Sequence, residues 1–121
     1  MATYDYKNLD VWKKAMDLVE LVYSVAAQLP LEERYALNSQ LRRVAISVPS
    51  NIAEGQKRPG KKETIQFSYI ALGSVAELET QLLIVKRLYS SIKDVDSALL
   101  LCETISRMLT ALAKSLKGSL S

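Results

Sequence analysis

Residues 62–89 read KETIQFSYIALGSVAELETQLLIVKRLY, and the fold follows from this stretch. Phe67, Ala71, Val75, Leu78, Leu82, Val85 and Tyr89 recur at three- and four-residue intervals, the period of one face of an α-helix. A second apolar set, Ile65, Tyr69, Leu72, Ala76 and Leu83, occupies another part of the circumference. Gly73 stands in mid-run, where a glycine costs about 1 kcal/mol relative to alanine. Close approach of a neighbouring helix is the reading that accounts for it. A helix apolar over so much of its surface must be covered from more than one side. The spacing therefore predicts a helical bundle that covers this helix incompletely, and so a chain that associates with itself.

Upstream, Pro59-Gly60 separates this helix from another over about 31–57, with Leu37, Leu41, Ala45, Val48 and Ile52 on one face and an irregular turn near Asn38-Ser39. Pro49 lies inside it and has no N–H for the carbonyl of Ala45. A kink is expected, with Ser47 or Ser50 serving the freed carbonyl. A first helix is expected over about 9–28, capped by Asn8 or Asp10, with Trp12, Met16, Val19, Tyr23 and Ala26 inward. Pro30 ends it, and Glu32-Glu33 supplies negative charge for the dipole of the next helix. A fourth helix is expected over about 94–116, capped by Asp94, with Ala98, Leu101, Ile105, Met108 and Leu112 inward and Gly118 just beyond. Short loops make neighbouring helices antiparallel. The expected fold is all-α: one up-down-up-down four-helix bundle domain over residues 1–121.

Length and composition agree with one globular core: 121 residues, 49% hydrophobic and 24% charged, with only four Gly and three Pro. The single cysteine, Cys102, cannot form an intramolecular disulfide and reads as a core residue in a reducing compartment. The start Met1-Ala2-Thr3-Tyr4-Asp5-Tyr6 has neither the basic nor the apolar region of a signal peptide, and no stretch reaches about 18 consecutive apolar residues. A soluble, cytoplasmic protein with no membrane partner is expected.

There is no histidine. That removes Ser-His-Asp and Cys-His nucleophilic centres, histidine-ligated zinc, Glu-x-x-His di-metal sites and any ribonuclease centre built on an Arg and His pair. No phosphate-cradling glycine motif occurs. Glu54, Glu77 and Glu79 are the carboxylates that acid-base chemistry or a magnesium ion would need, but carboxylates facing arginines in a bundle are structural in the ordinary case. The expectation is no catalytic residue, no cofactor, no metal and no enzyme.

Gln40, Arg43, Ser47, Asn51 and Glu54 form a polar stripe, and Ser74, Glu77 and Gln81 form another on the next helix. Packed together, they are expected to build a polar ladder between helices, with Arg43 paired to Glu77, that fixes register more than it adds stability. The net charge is a mild +3, with a pI near 9.0. Lys57, Arg58, Lys61 and Lys62 nevertheless fall within six residues of one turn. Repeated around a ring of subunits, that turn forms a basic rim suited to an RNA or DNA backbone, with Arg42 and Arg43 as contacts behind it. The alternative is a scaffold that docks a larger protein partner, with charge serving solubility alone.

The runs LDVWKKA (9–15), LRRVAISVPSNIAEG (41–55) and ALGSVAELETQL (71–82) resemble the bacterial family of 23S rRNA intervening-sequence proteins, also called the S23 ribosomal protein family. The resemblance spans about Tyr6 to Leu116, and the Ser-x-Pro-Ser-Asn-Ile-Ala-Glu-Gly element is specific. It implies a four-helix bundle assembled as a ring-like homopentamer, encoded in segments that interrupt large-subunit rRNA genes. The family is in turn similar to the accessory variability protein of diversity-generating retroelements, a basic pentameric barrel that engages a reverse transcriptase and nucleic acid. Motif positions carried over by the resemblance are Arg43, Ser47, Asn51, Glu54, Gly55, Gly73, Ser74, Glu77 and Glu79.

Overall fold

Apolar residues at three- and four-residue spacing fold the chain into four long helices. The computed structural model describes residues 5–120; Met1–Tyr4, which carry most of the N-terminal stretch read for a signal peptide, and Ser121 lie outside the described residues. The helices are α1 (Asp10–Ala27), α2 (Leu37–Lys57), α3 (Lys61–Leu88) and α4 (Val95–Gly118), with single 3-10 turns at Tyr6–Asn8 and Leu31–Glu33 and no strand among the described residues. Each helix packs on its two chain neighbours and α4 closes on α1, so the helices stand at the corners of a square. Side chains from all four meet along its axis. Leu18, Val22, Leu41, Val48, Val75, Leu78, Leu82, Ile105 and Leu109 are fully buried there. By length and composition α3 is apolar enough to cross a membrane, but Ala71, Val75, Leu78, Leu82 and Val85 lie in the bundle core.

Three of the helices begin and end within about two residues of the expected positions; α2 does not. It starts at Leu37, because Leu31–Glu33 form a 3-10 turn and Ala36 sits at φ −118°, ψ −105°, outside helical geometry. Side-chain bonds hold this detour. Asn38 Nδ2 donates to the Ala26 carbonyl at 3.0 Å, serving the open end of α1, and Tyr89 Oη donates to Glu33 Oε2 at 2.6 Å. A helix running from Leu31 would forgo both. Gln28 fastens the same end of the bundle, accepting from the Lys93 N–H and donating to its carbonyl.

The inward face of α1 is shifted from expectation. Val11, Ala15, Leu18, Val22 and Val25 point to the axis, whereas Met16 and Tyr23 are exposed and Trp12 and Val19 half-buried along the flank facing α2. On α4 the axis takes Ala98, Cys102, Ile105, Leu109 and Ala113, with Leu101, Met108 and Leu112 beside it. Neither Asn8 nor Asp10 caps α1; Leu9 holds that position without a side-chain bond. Asp94 does hold the N-cap position of α4, at φ 75°, but its carboxylate accepts from Ser24 Oγ instead of from its own helix. The helix runs unbroken through Pro49. Ser47 Oγ donates to the Val44 carbonyl and Ser50 Oγ to that of Ile46, so neither hydroxyl serves Ala45.

Glycine usage is also reversed. A Cβ at Gly73 would meet nothing within 4 Å, so no helix of the protomer crowds it, whereas one at Gly55 would stand 2.7 Å from Phe67 Cβ. At Gly55 the backbone of α2 lies directly against the Phe67 side chain of α3. Gly55→Ala is therefore expected to lower stability by about 1–3 kcal/mol through overpacking. Gly73→Ala should raise it by about 0.5–1 kcal/mol through helix propensity, both read by urea denaturation. The Glu33 carboxylate that accepts from Tyr89 raises the pKa of that phenol above its ordinary 10.0, helped by partial burial and the charge of Glu32. The folded state thus holds this proton more tightly than the unfolded chain. The contribution is complete below pH 10 and lost as pH climbs through the raised value. Tyrosinate absorbance should show one late-titrating phenol, which Glu33→Gln returns towards the rest; an unchanged curve in that variant refutes the clasp.

Candidate nucleic-acid interface

The turn joining α2 to α3 carries Lys57, Arg58, Lys61 and Lys62, and its shape is set from below. Thr64 is buried; its Oγ1 donates to the Gly55 carbonyl at 2.8 Å, with the Gly60 carbonyl a second acceptor at 3.2 Å. The Thr64 N–H also bonds the Gly60 carbonyl, and the Arg58 N–H that of Gly55. One threonine thus ties the last turn of α2 to the first turn of α3. The loop backbone is drawn inward, and its basic side chains are left outside.

Antiparallel packing brings further cations to this end. The start of α1 and the end of α4 lie beside the turn: Lys57 and Lys7 both stand 6.0 Å from the Tyr6 ring, and Lys61 Nζ is 3.4 Å from the Ser119 carbonyl. Counting the last turn of each helix and the segments beyond it, this end holds Lys7, Lys13, Lys57, Arg58, Lys61, Lys62 and Lys117 against Asp5, Asp10, Glu54 and Glu63. Seven cations face four carboxylates, while the chain's nine other cations and nine other carboxylates cancel. The whole net charge of +3 therefore resides at one end of the bundle. Of the seven, Arg58 alone forms an ion pair among the described residues, with Glu54 at 2.8 Å, and its guanidinium lies 5.0 Å from the Phe67 ring. The exposed lysines remain available to an anion.

Arg42 and Arg43 do not join them. They stand roughly 20 Å back along α2, at 1.5 Å per residue. Arg42 turns towards α1, its guanidinium 4.8 Å from the Tyr23 ring and its Nε buried without a partner, and Arg43 donates to Gln40 Oε1 at 2.6 Å.

Contact of Gly55 with Phe67 sets Ser47 within one residue of the level of Ser74 and Arg43 within two of that of Glu77 in the antiparallel register, so the two polar stripes run along the same seam. The expected ladder across it does not form within the protomer. Ser47 and Asn51 bond backbone carbonyls of α2, Arg43 bonds Gln40, and Glu54 pairs with Arg58. Ser47 spends its one O–H on its own helix, and the bonds that Asn51 and Arg43 make hold their side chains along α2. Gln81 Oε1 is buried without a partner, and Arg43 and Glu77 are both exposed.

The three carboxylates considered for chemistry do not converge. Glu77 and Glu79 are two residues apart, hence about 200° apart around α3, and Glu54 lies more than two turns from Glu77. No cluster of three or more His, Cys, Asp or Glu able to hold a metal occurs among the described residues. Cys102 is fully buried, and burial, with the Glu79 charge added, pushes its thiol up to about 12, leaving it protonated and unreactive.

Residues 7–111 match the model of the family described as 23S rRNA-intervening sequence protein. The chain belongs to this family. Its fold is similar to that in the 1.70 Å crystal structure of a protein of unknown function from the S23 ribosomal protein family of Bacteroides thetaiotaomicron VPI-5482, with a TM-score of 0.75 at 19% identity over 86% of this chain and 98% of that one. At that identity the likeness speaks for the fold alone. No curated protein matches the chain.

Thr64→Val keeps the shape of the side chain but leaves the buried Gly55 carbonyl with the longer bond from the Arg58 N–H alone, at 3.3 Å. A loss of about 1–3 kcal/mol, with faster amide exchange confined to residues 55–64, is expected; exchange that rises evenly over all four helices would refute a local role.

Proposed function

We propose that this family member is a non-catalytic, self-associating cytoplasmic bundle that holds RNA or DNA by its phosphate backbone through the basic end. One observation carries the reading: a chain of modest net charge concentrates all of it on the surface that holds the turn between α2 and α3. Backbone contact is a matter of cation density and needs no base-reading element. The scattered carboxylates and the absence of histidine support a binding role over a catalytic one.

Self-association multiplies the effect. Leu83, Ile84 and Leu88 are 40–63% exposed on the outer side of α3 in its last two turns, away from the basic end, an apolar surface that copies of the chain would cover. In a closed ring, a pentamer as the family resemblance implies, the basic ends line one rim and their charges add. The unsatisfied Gln81 and the exposed Arg43 and Glu77 border the same surface, where a partner copy would complete the ladder that the protomer lacks.

A second reading, a scaffold for a larger protein, draws on the apolar groove between α1 and α2 lined by Trp12, Met16, Ile46 and Pro49. Anisotropy titration of structured RNA and duplex DNA at two salt concentrations separates the two. Replacing Lys57, Arg58, Lys61 and Lys62 with glutamine should weaken binding by about tenfold or more and flatten its dependence on salt. Binding that is absent at low salt, or equal in the variant, would favour the scaffold.

A further inference from the structure

At the basic end Tyr69 is the aromatic residue that the core uses least. It is 46% exposed on the outer face of α3, and Lys117 of α4 lies 4.7 Å from its ring centroid. Lys61, held beside the end of α4 by its contact with the Ser119 carbonyl, places a second ammonium on that side. Lys62 and Gly73 share the face with Tyr69, two turns before it and one turn after. The position of Gly73 matters. A helical side chain covers the surface over the turn before its own Cα, so any larger residue at 73 would lie towards the tyrosine. A Cβ there would meet nothing within 4 Å, so packing within the protomer does not explain a residue that weakens its own helix. It leaves the flank of Tyr69 bare.

We infer that Tyr69 is a stacking platform for an unpaired nucleobase, bared by Gly73, with Lys61, Lys62 and Lys117 taking the phosphates on either side of that base. The inference rests on the reading of the basic end as a backbone-binding surface, and adds a preference: single strands over duplex. A paired base inside a duplex cannot offer its face to a side chain, whereas every unpaired base can, whatever its identity. Lys117 already lies against the ring as a cation, and on binding it exchanges that ring for a phosphate oxygen.

The test uses the full chain with fluorescein-labelled 12-mers of oligo-U and oligo-dT and a 12-base-pair duplex at one salt concentration. The single strands should bind more tightly than the duplex. Tyr69→Leu should weaken single-strand binding about tenfold and leave duplex binding unchanged, while Tyr69→Phe retains it. Gly73→Leu, which enters open space and improves the helix, should weaken single-strand binding with no loss of thermal stability and no change of mass in light scattering. Equal affinity of wild type and Tyr69→Leu for single strands, or tighter duplex binding by wild type, overturns the platform but leaves the backbone reading intact. A changed mass for Gly73→Leu with unaltered single-strand affinity overturns it in favour of a contact between copies. No binding of any probe, with the four-charge variant indistinguishable from wild type, overturns both readings.

Discussion

The contact of Gly55 with Phe67 is the constraint on which the rest of this structure depends. It brings the backbone of α2 against α3, with no room for a Cβ, at the point where the chain reverses. Thr64 fixes the distance by bonding the carbonyl of that same glycine. With this end pinned, the register of two long helices follows over their whole length, because each residue added to one is matched at 1.5 Å per residue by one on the other. Val48 and Leu41 then fall within one residue of the levels of Val75 and Leu82, in a continuous buried column. The opposite end is held differently, by side chains of Gln28, Asn38 and Tyr89 reaching between elements.

The same constraint shapes the electrostatics. A tight turn exposes its side chains, and those at the turn between α2 and α3 are mainly basic. Antiparallel packing adds the ends of α1 and α4, with further lysines and the rings of Tyr6 and Tyr69. The opposite pole balances Glu32, Glu33, Asp94 and Asp96 against Arg34, Lys86, Arg87 and Lys93. The bundle is therefore polarised along its axis. Helix dipoles contribute little to this, since antiparallel neighbours oppose one another.

Two kinds of surface remain incomplete within a single protomer. One is apolar, along the outer side of α3. The other is polar, along the seam of α2 and α3, where Gln81 is buried without a partner and Glu77 faces outward. Their adjacency gives a physical basis for association: a partner covering the apolar strip also brings new groups to the seam.

By itself the sequence determined the helices, their antiparallel order and the basic turn, because helical period, proline and glycine breaks and charge density are local properties. It also marked Cys102 as a core residue, since burial is the common condition of a free thiol. Membership of the family was legible in the Ser-x-Pro-Ser-Asn-Ile-Ala-Glu-Gly run, and the matching residues bear it out. Only the tertiary structure decided which flank of α1 faces inward, for Val11, Ala15 and Leu18 compete there with the equally periodic Trp12, Met16 and Val19. It alone showed that Gly55, and not Gly73, is the close contact, that Arg42 and Arg43 stand apart from the basic end, and that Tyr6, Lys7 and Lys117 join it. These outcomes depend on where one helix lies against another, and a helical period specifies a face only to within the width of its apolar arc.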